Sequence, residues 1–356
     1  MISFHRPLER EPFLHSKAER SLSGLRYAHA TLRQGLYRYF KQAGLKRALI
    51  PDFSPAGIVL PLRAAGLELF FYPVMTNLLL DADEIQKSLT ASNPDVFVYI
   101  HHFGLYHESN LLLLKNILDP RILFVEDLAH SLPDLQQKPM GQIALYAFSK
   151  SIGISEGSVL WFRDKSVACQ IPYGLQTSQG LTLSSRLQAH ARLDSLLATW
   201  PLPVVARRWI SKFMSPKADY YPYLKSHYRE IGSRISPSAT HQLECLDIRA
   251  IVHRRKELAR LYLQGLEARF RLSPVDSAYS HQSLLAFPIV VDNQDRFYAY
   301  LVRKGLLGFR LTDEWWFCES RAPSNLFHKH FLLPLNHYMN DIQVKKVVRI
   351  VNDYDY

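Results

Sequence analysis

"DVFVYIHHFGLYHESNLLLLKNILDPRILFVED", residues 95–127, decides the fold class. Residues 95–102 form a continuous apolar run with no polar alternation, as in a strand covered on both faces. "ESNLLLLKNIL" (108–118) reads as a helix, and "RILFVED" (121–127) as a strand that ends in two acids. The same rhythm extends outward on both sides. "RALIP" (47–51) and "LELFFYPV" (67–74) read as strands upstream, and "DADEIQKSL" (81–89) as a helix with an acidic first turn. "QIALYAF" (142–148) and "GSVLWFRD" (157–164) are two more strands. Residues 24–44 read as one helix, because Leu25, Ala28, Leu32, Leu36 and Phe40 recur at three- to four-residue steps. Short apolar strands alternating with helices predict an α/β fold. Ligands of such sheets gather beyond the carboxyl ends of the strands. Asp127 and Lys150 both fall at such ends.

The texture changes after residue 180. "LSSRLQAHARLDSLLATW" and "VVARRWISKFM" (204–214) read as helices separated by Pro201 and Pro203. Residues 240–270 read as one long amphipathic helix or two. "LLAFPIVV" is a strand, "RFYAYLVRKGL" a helix, and "VKKVVRIVNDY" a closing helix. This predicts a large domain over 1–230, with a helical insertion at about 181–222, and a small α+β domain over 231–356.

Composition narrows the function classes. The chain has 356 residues, 47% hydrophobic and 21% charged, as in a soluble globular protein. Its most apolar stretch, residues 56–75, is broken by Pro61, Arg63, Glu68 and Pro73, so it does not read as a membrane span. The charged N-terminus lacks the apolar segment of a signal peptide. Three widely spaced cysteines give neither a disulfide framework nor a zinc spacing. These features predict a cytoplasmic protein. The net charge of +11 favours anionic partners, but the basic residues are dispersed and no nucleic-acid motif is present.

"AFSKSIGISEGSVLWF" (147–162) carries two competing motifs. Gly153 to Gly157 spells the G-x-S-x-G of a hydrolase elbow around Ser155. That elbow needs a helix after the serine, whereas "GSVLWFRD" reads as a strand. Lys150, beside the Ser149 hydroxyl, fits better as the lysine of a pyridoxal phosphate site. Such a site needs an amine for the Schiff base, a carboxylate facing the pyridine nitrogen, phosphate donors and a group packed on the ring. "FVEDLAHS" supplies Asp127 at a strand end, with His130 just beyond.

At these residues the sequence resembles the DegT/StrS family of sugar aminotransferases, pyridoxal phosphate enzymes of fold type I. "LFVEDLAHS" is similar to the family's E-D-x-A-H/Q segment, and "SKSIGISEG" to its lysine followed by E-G. "RALIPDFSPAGIVLPLRAAGLELFFYPV", "VYIHHFGL", "HRRKELARLYLQGLEARF" and "FLLPLNHYMNDIQVKKVVRIV" extend the likeness through most of the chain. The resemblance implies a mostly parallel sheet flanked by helices, with a small C-terminal domain. It implies that Asp127 pairs with the pyridinium nitrogen, that His130 lies by the cofactor, and that Lys150 forms the Schiff base and moves the proton. It further implies transfer of an amino group from a donor such as glutamate to a keto group on a nucleotide-linked sugar, by a homodimer. The product would feed polysaccharide biosynthesis or a glycosylated natural product.

Several positions depart from the family pattern. His29 and Ala30 stand where its Gly-Thr phosphate turn is expected. The ring-stacking position falls at Phe53 or Pro55. The neighbour's phosphate-binding Asn falls at Gly232 or Ser233, with only Arg234 matching. A non-catalytic relative acting as a binding or membrane-associated scaffold is the alternative reading. The helix over 204–214 is amphipathic with a basic face, which suits core or dimer packing, or a peripheral contact with an anionic membrane. His101, His102, His107 and Glu108 cluster locally, but neighbours on a strand point to opposite faces, which argues against a metal site. Arg310, Trp315 and Trp316 suit either an anionic or ring-shaped substrate, or an interface.

Overall fold

The computed structural model describes residues 25–29, 31–133, 139–152, 154, 157–164, 167, 237–272, 283–306, 309–310, 316–317 and 329–355. The chain begins with strand β1 (Leu25–His29) and helix α1 (Leu32–Ala43). Strands β2 (Arg47–Pro51) and β3 (Ser54–Pro55), helix α2 (Ala56–Ala65) and strand β4 (Glu68–Tyr72) follow. Next come α3 (Ala82–Ser92), β5 (Val96–Ile100), α4 (Glu108–Ile117) and β6 (Leu123–Asp127). Strand β7 (Ile143–Ala147) leads directly into the single-turn helix α5 (Phe148–Ser151) and then β8 (Ser158–Phe162). The C-terminal part holds α6 (Pro237–Cys245), α7 (Ile248–Gly265), β9 (Phe287–Val290) and α8 (Gln294–Arg303). It continues with β10 (Phe309–Arg310), β11 (Trp316–Phe317), β12 (His330–Leu333) and α9 (Asp341–Asn352).

Seven strands form one sheet in the order β1-β8-β7-β6-β5-β2-β4. Strands β4, β2, β5, β6 and β7 are parallel, while β8 runs antiparallel to both β7 and β1. Two reversals restore direction, so β1 points the same way as β7. The mostly parallel α/β architecture expected from the sequence is present. Every residue of β5, β7 and β8 is buried, which is why these strands read as unbroken apolar runs. One face of the sheet packs Val98, Val125, Leu145 and Leu160 against Leu36, Phe40, Val59 and Leu62 of α1 and α2. The other packs Phe97, Tyr99 and Phe124 against Ile85, Leu111 and Leu114 of α3 and α4. Each fully buried side chain of this size contributes about 1.5–3 kcal/mol.

The helix expected over 24–44 is a correction. Its first part is β1, hydrogen-bonded to β8 from Leu25↔Phe162 to His29↔Ser158. The apolar spacing in this stretch suits either element, and pairing with a strand far along the chain overrides local periodicity. The helix starts only at a capping box, in which Thr31 and Gln34 exchange side-chain and backbone hydrogen bonds. Residues 240–270 form two helices, with Asp247 capping the second through Ala250 N–H.

A three-stranded antiparallel sheet, β10-β12-β9, forms the centre of the C-terminal part. Its core combines Leu258, Tyr262, Phe287, Phe297, Phe331 and Val344, and it also takes in Phe53 and Phe103 from loops beyond the large sheet. Strand β11 pairs with β3, placing Trp316 opposite Pro55. The expected insertion at 181–222, the helix at 204–214 and the domain boundary near 230 lie outside the described residues. Among the described residues, no helix is long and apolar enough to cross a membrane.

Candidate active site

The carboxyl ends of β1, β6 and β7 lie along one edge of the sheet. Register fixes this: Ser158 on β8 is opposite both His29 and Ala147, while Asp127 on β6 is opposite Leu145. Asp127 is the last residue of β6 and is 4% exposed. One of its carboxylate oxygens accepts the Ala129 N–H at 2.9 Å. Lys150 lies three residues beyond β7, on α5. The turn is closed by Ile152 N–H to the Phe148 carbonyl and anchored by Phe148 and Ser149 N–H groups donating to the Gly157 carbonyl.

These groups feel one another. Lys150 keeps part of its surface accessible, yet the dense packing about its amine pulls the pKa below the usual lysine value; Asp127 opposes that effect and Arg33 adds to it. Burial pushes the Asp127 carboxyl above its usual range, against the pull of Lys150 and the Ala129 N–H. A carboxylate this buried is stabilised by a cationic partner. Burial, with Lys150 and His102 nearby, holds His130 neutral, well below its ordinary value. Its Nδ1 accepts the Phe103 N–H at 3.2 Å, which leaves the ring proton on Nε2. The His130 ring is parallel to that of Phe103.

Phe103 has φ 60°, unusual for a bulky residue, and Gly104 follows at φ +89°. A Cβ at Gly104 would lie 2.5 Å from the His130 carbonyl and 3.2 Å from Leu284 Cα. Only glycine permits this approach between the loops after β5 and β6. Behind the loops, His101 Nε2 pairs with Glu126 at 2.8 Å, both side chains being buried. The other Glu126 oxygen accepts the Gly141 N–H.

The remaining candidates are placed as follows. His29 ends β1, opposite Ser158. Ala30 and Ser155 lie outside the described residues. Ser149 donates its backbone N–H to Gly157. Phe53 is fully buried and stacked on His102 at 5.2 Å, and its carbonyl meets His102 Nε2 at 2.8 Å. Among the described residues, no group of three or more His, Cys, Asp or Glu could hold a metal ion. The strand that follows Gly157 is not the helix a serine elbow requires.

No family model matches the sequence, and no curated protein matches it. Solved structures do match its fold. Helicobacter pylori PseC, an aminotransferase involved in the biosynthesis of pseudoaminic acid, is 13% identical; the match covers 98% of each chain at a TM-score of 0.63. A DegT DnrJ EryC1 StrS aminotransferase from Brucella abortus is 14% identical, with 92% of this chain and 84% of that one covered, at a TM-score of 0.61. DesI, solved in the presence of its TDP-sugar product, is 16% identical over 92% of this chain and 79% of that one, at a TM-score of 0.62. The fold is that of these aminotransferases.

Within this aminotransferase fold, three residues stand out that sequence reasoning did not single out. Thr31, rather than His29 or Ala30, caps α1 and fixes where the helix begins. Arg33 lies two residues on, its Nε 3.6 Å from where a Gly57 Cβ would stand in the first turn of α2. Neither α1 nor α2 has an acid in its first turn, and α2 has no side-chain cap. The third is Arg255, a charged residue on an apolar helix stripe. The sequence does carry that signal, since Ile251, Val252, Leu258 and Ala259 surround it at helical spacing.

Proposed function

We propose that this chain is a pyridoxal-phosphate-dependent aminotransferase of the DegT/StrS type. In this reading it moves an amino group from a donor such as glutamate to a keto group on a nucleotide-linked sugar. One observation carries the reading: the Lys150 amine, depressed by burial, faces the buried Asp127 carboxylate across neighbouring strand ends. The donor set fits the cofactor. There is an amine for its aldehyde carbon, a buried carboxylate for its ring nitrogen, and a guanidinium beside two helix starts for its phosphate. When bound, pyridoxal phosphate supplies an electron sink that lets an amino group pass between two carbon atoms.

The protein's own groups do the rest. Asp127 would hold the ring nitrogen protonated, its carboxylate's direction fixed by the Ala129 N–H. Arg33 and the first-turn N–H groups of α1 and α2 would hold the phosphate, in place of a Gly-Thr turn. His130 is neutral, its ring proton on Nε2, so it adds no competing charge. Burial lowers the Lys150 pKa and so favours its free-amine form, and Nζ of Lys150 would be the group that takes and returns the proton. The overall charge of +11 favours a phosphate-bearing acceptor. Homodimer formation and a peripheral membrane contact through residues 204–214 belong to the same proposal.

The test is the visible spectrum of purified protein with added pyridoxal phosphate, beside Lys150→Ala. A cofactor band that borohydride bleaches in the wild type, and that is missing from Lys150→Ala, is the expected result. Identical spectra showing only free cofactor would refute the reading and favour a non-catalytic binding protein.

A further inference from the structure

Arg255 is 1% exposed, one of the largest fully buried side chains among the described residues. It lies on the core-facing stripe of α7 with Ile251, Val252, Leu258 and Tyr262. Burying a guanidinium costs several kcal/mol unless its donors are satisfied. Among the described residues no carboxylate pairs with it. Its partners are carbonyls: Nη1 donates to Leu284 at 2.7 Å, Leu335 at 3.2 Å and Leu285 at 3.3 Å, while Nη2 donates to Ser151 at 2.5 Å. Burial lowers its pKa to about 10, so it is still charged at neutral pH.

Those carbonyls are not scattered. Ser151 is the last residue of α5, the four-residue turn that bears Lys150. A single helical turn does not hold itself. Leu284 meets the other two loops of the site. It bridges Ser131 after β6, Ser283 Oγ accepts the Leu132 N–H at 3.0 Å, and its Cα lies against Gly104 after β5. The loops after β5, β6 and β7 carry Phe103, His130 and Lys150, and all three bear on the segment Ser283–Leu285. The first two do so by direct contact, and the guanidinium joins the third to it through the Ser151 carbonyl. We propose that Arg255 is a positioning residue: its guanidinium fixes the turn bearing Lys150 against the loops bearing Asp127 and His130. Lysine cannot replace it. One ammonium nitrogen lacks the flat fork that reaches Ser151 on one side and the three leucine carbonyls on the other.

The functional weight of this inference rests on Lys150 being the reactive amine, but its test needs no cofactor. In the full-length chain without added cofactor, Lys150 is labelled with acetic anhydride across a pH series and followed by peptide mass spectrometry. Arg255→Lys and Arg255→Gln are compared with wild type and with Val351→Ala, a core truncation in α9. Loosening α5 relieves the burial that depresses the amine. The expected result is a labelling midpoint for Lys150 that rises by about one pH unit in both Arg255 variants, tenfold less free amine at neutral pH. Val351→Ala should keep the wild-type midpoint. An unchanged midpoint in a folded Arg255 variant, or an equal rise in Val351→Ala, overturns the proposal. Should neither Arg255 variant fold, hydrogen exchange of the wild type decides. Ile152 N–H, which closes α5, and Leu132 N–H beside Ser283 should exchange through one opening, with the same denaturant dependence; independent openings overturn it. Absence of a cofactor band in the wild type would refute the aminotransferase reading and leave the labelling result standing.

Discussion

Lowering the pH from 7 to 5.5 should cost this fold a large share of its stability. His102 and His107 are 4% and 3% exposed. Burial, reinforced for His102 by His330 and His101 and for His107 by His101 and His102, lowers their pKa values from 6.5 to about 4 and about 3. The unfolded chain therefore binds protons that the fold refuses, and stability falls as pH falls. The loss begins near the unfolded value of 6.5 and continues down to the folded values. At pH 5.5 an unfolded histidine is about nine-tenths protonated, so each site costs about 1.2 kcal/mol relative to pH 7, about 2.5 kcal/mol for the pair. His130 shifts in the same direction and adds to the loss. Asp127 has the opposite sign, because its raised pKa lets the fold take a proton first. Most exposed carboxylates titrate below this window. The assay is urea unfolding at both pH values, for wild type and His107→Leu. Neither ring nitrogen of His107 has a hydrogen-bond partner, so leucine removes the titration without breaking a bond. The pH-dependent loss should shrink by about 1.2 kcal/mol in the variant. Equal losses in the two proteins would refute the reasoning.

Three further outcomes are expected. Gly104→Ala should destabilise by about 3 kcal/mol or more, because its Cβ meets the His130 carbonyl at a φ that alanine resists; a urea midpoint within error of wild type would contradict this. Asp127→Asn removes the attraction that raises the Lys150 pKa, so the lysine's labelling midpoint should fall further; a rise would show that Asp127 does not face the amine. Glu126→Gln weakens the buried link to His101 and Gly141 and should cost about 1–3 kcal/mol, checked by thermal unfolding at pH 7.

How much of this was legible in the sequence depended on whether a signal was local. Strands β2, β5, β6 and β7 were readable because burial on both faces leaves an unbroken apolar run. Asp127 and Lys150 were readable because each follows such a run. Strand β1 was not, because its five residues share their spacing with a helix face and only pairing with β8 decides between them. His101 and Glu126 meet across the ends of neighbouring strands, 25 residues apart, so no local pattern pairs them. Arg255 is a charge on an apolar stripe, a signal that the sequence carries but that sequence reasoning did not single out. Its partners come from residues 151, 284, 285 and 335, and no local pattern brings those together. Phe53 read as a surface for a ring, and the structure places it against His102 in the C-terminal core.

The pairing of β1 with β8 also sets an order of assembly. Leu25 cannot find Phe162 until 137 further residues have been made, roughly 7–27 s of synthesis at about 5–20 residues per second. Strands β2 and β4 can pair within that time, since only the short β3 and α2 separate them. The emerging chain therefore carries α1 and Arg33 tethered to an unpaired strand until β8 leaves the ribosome. A nascent chain halted just before residue 158 holds Asp127 and Lys150 but lacks the strand that sets β1, and the α1 that follows it, beside them. The alignment of the β1 end with the β7 end then forms as a single step, once β8 has emerged.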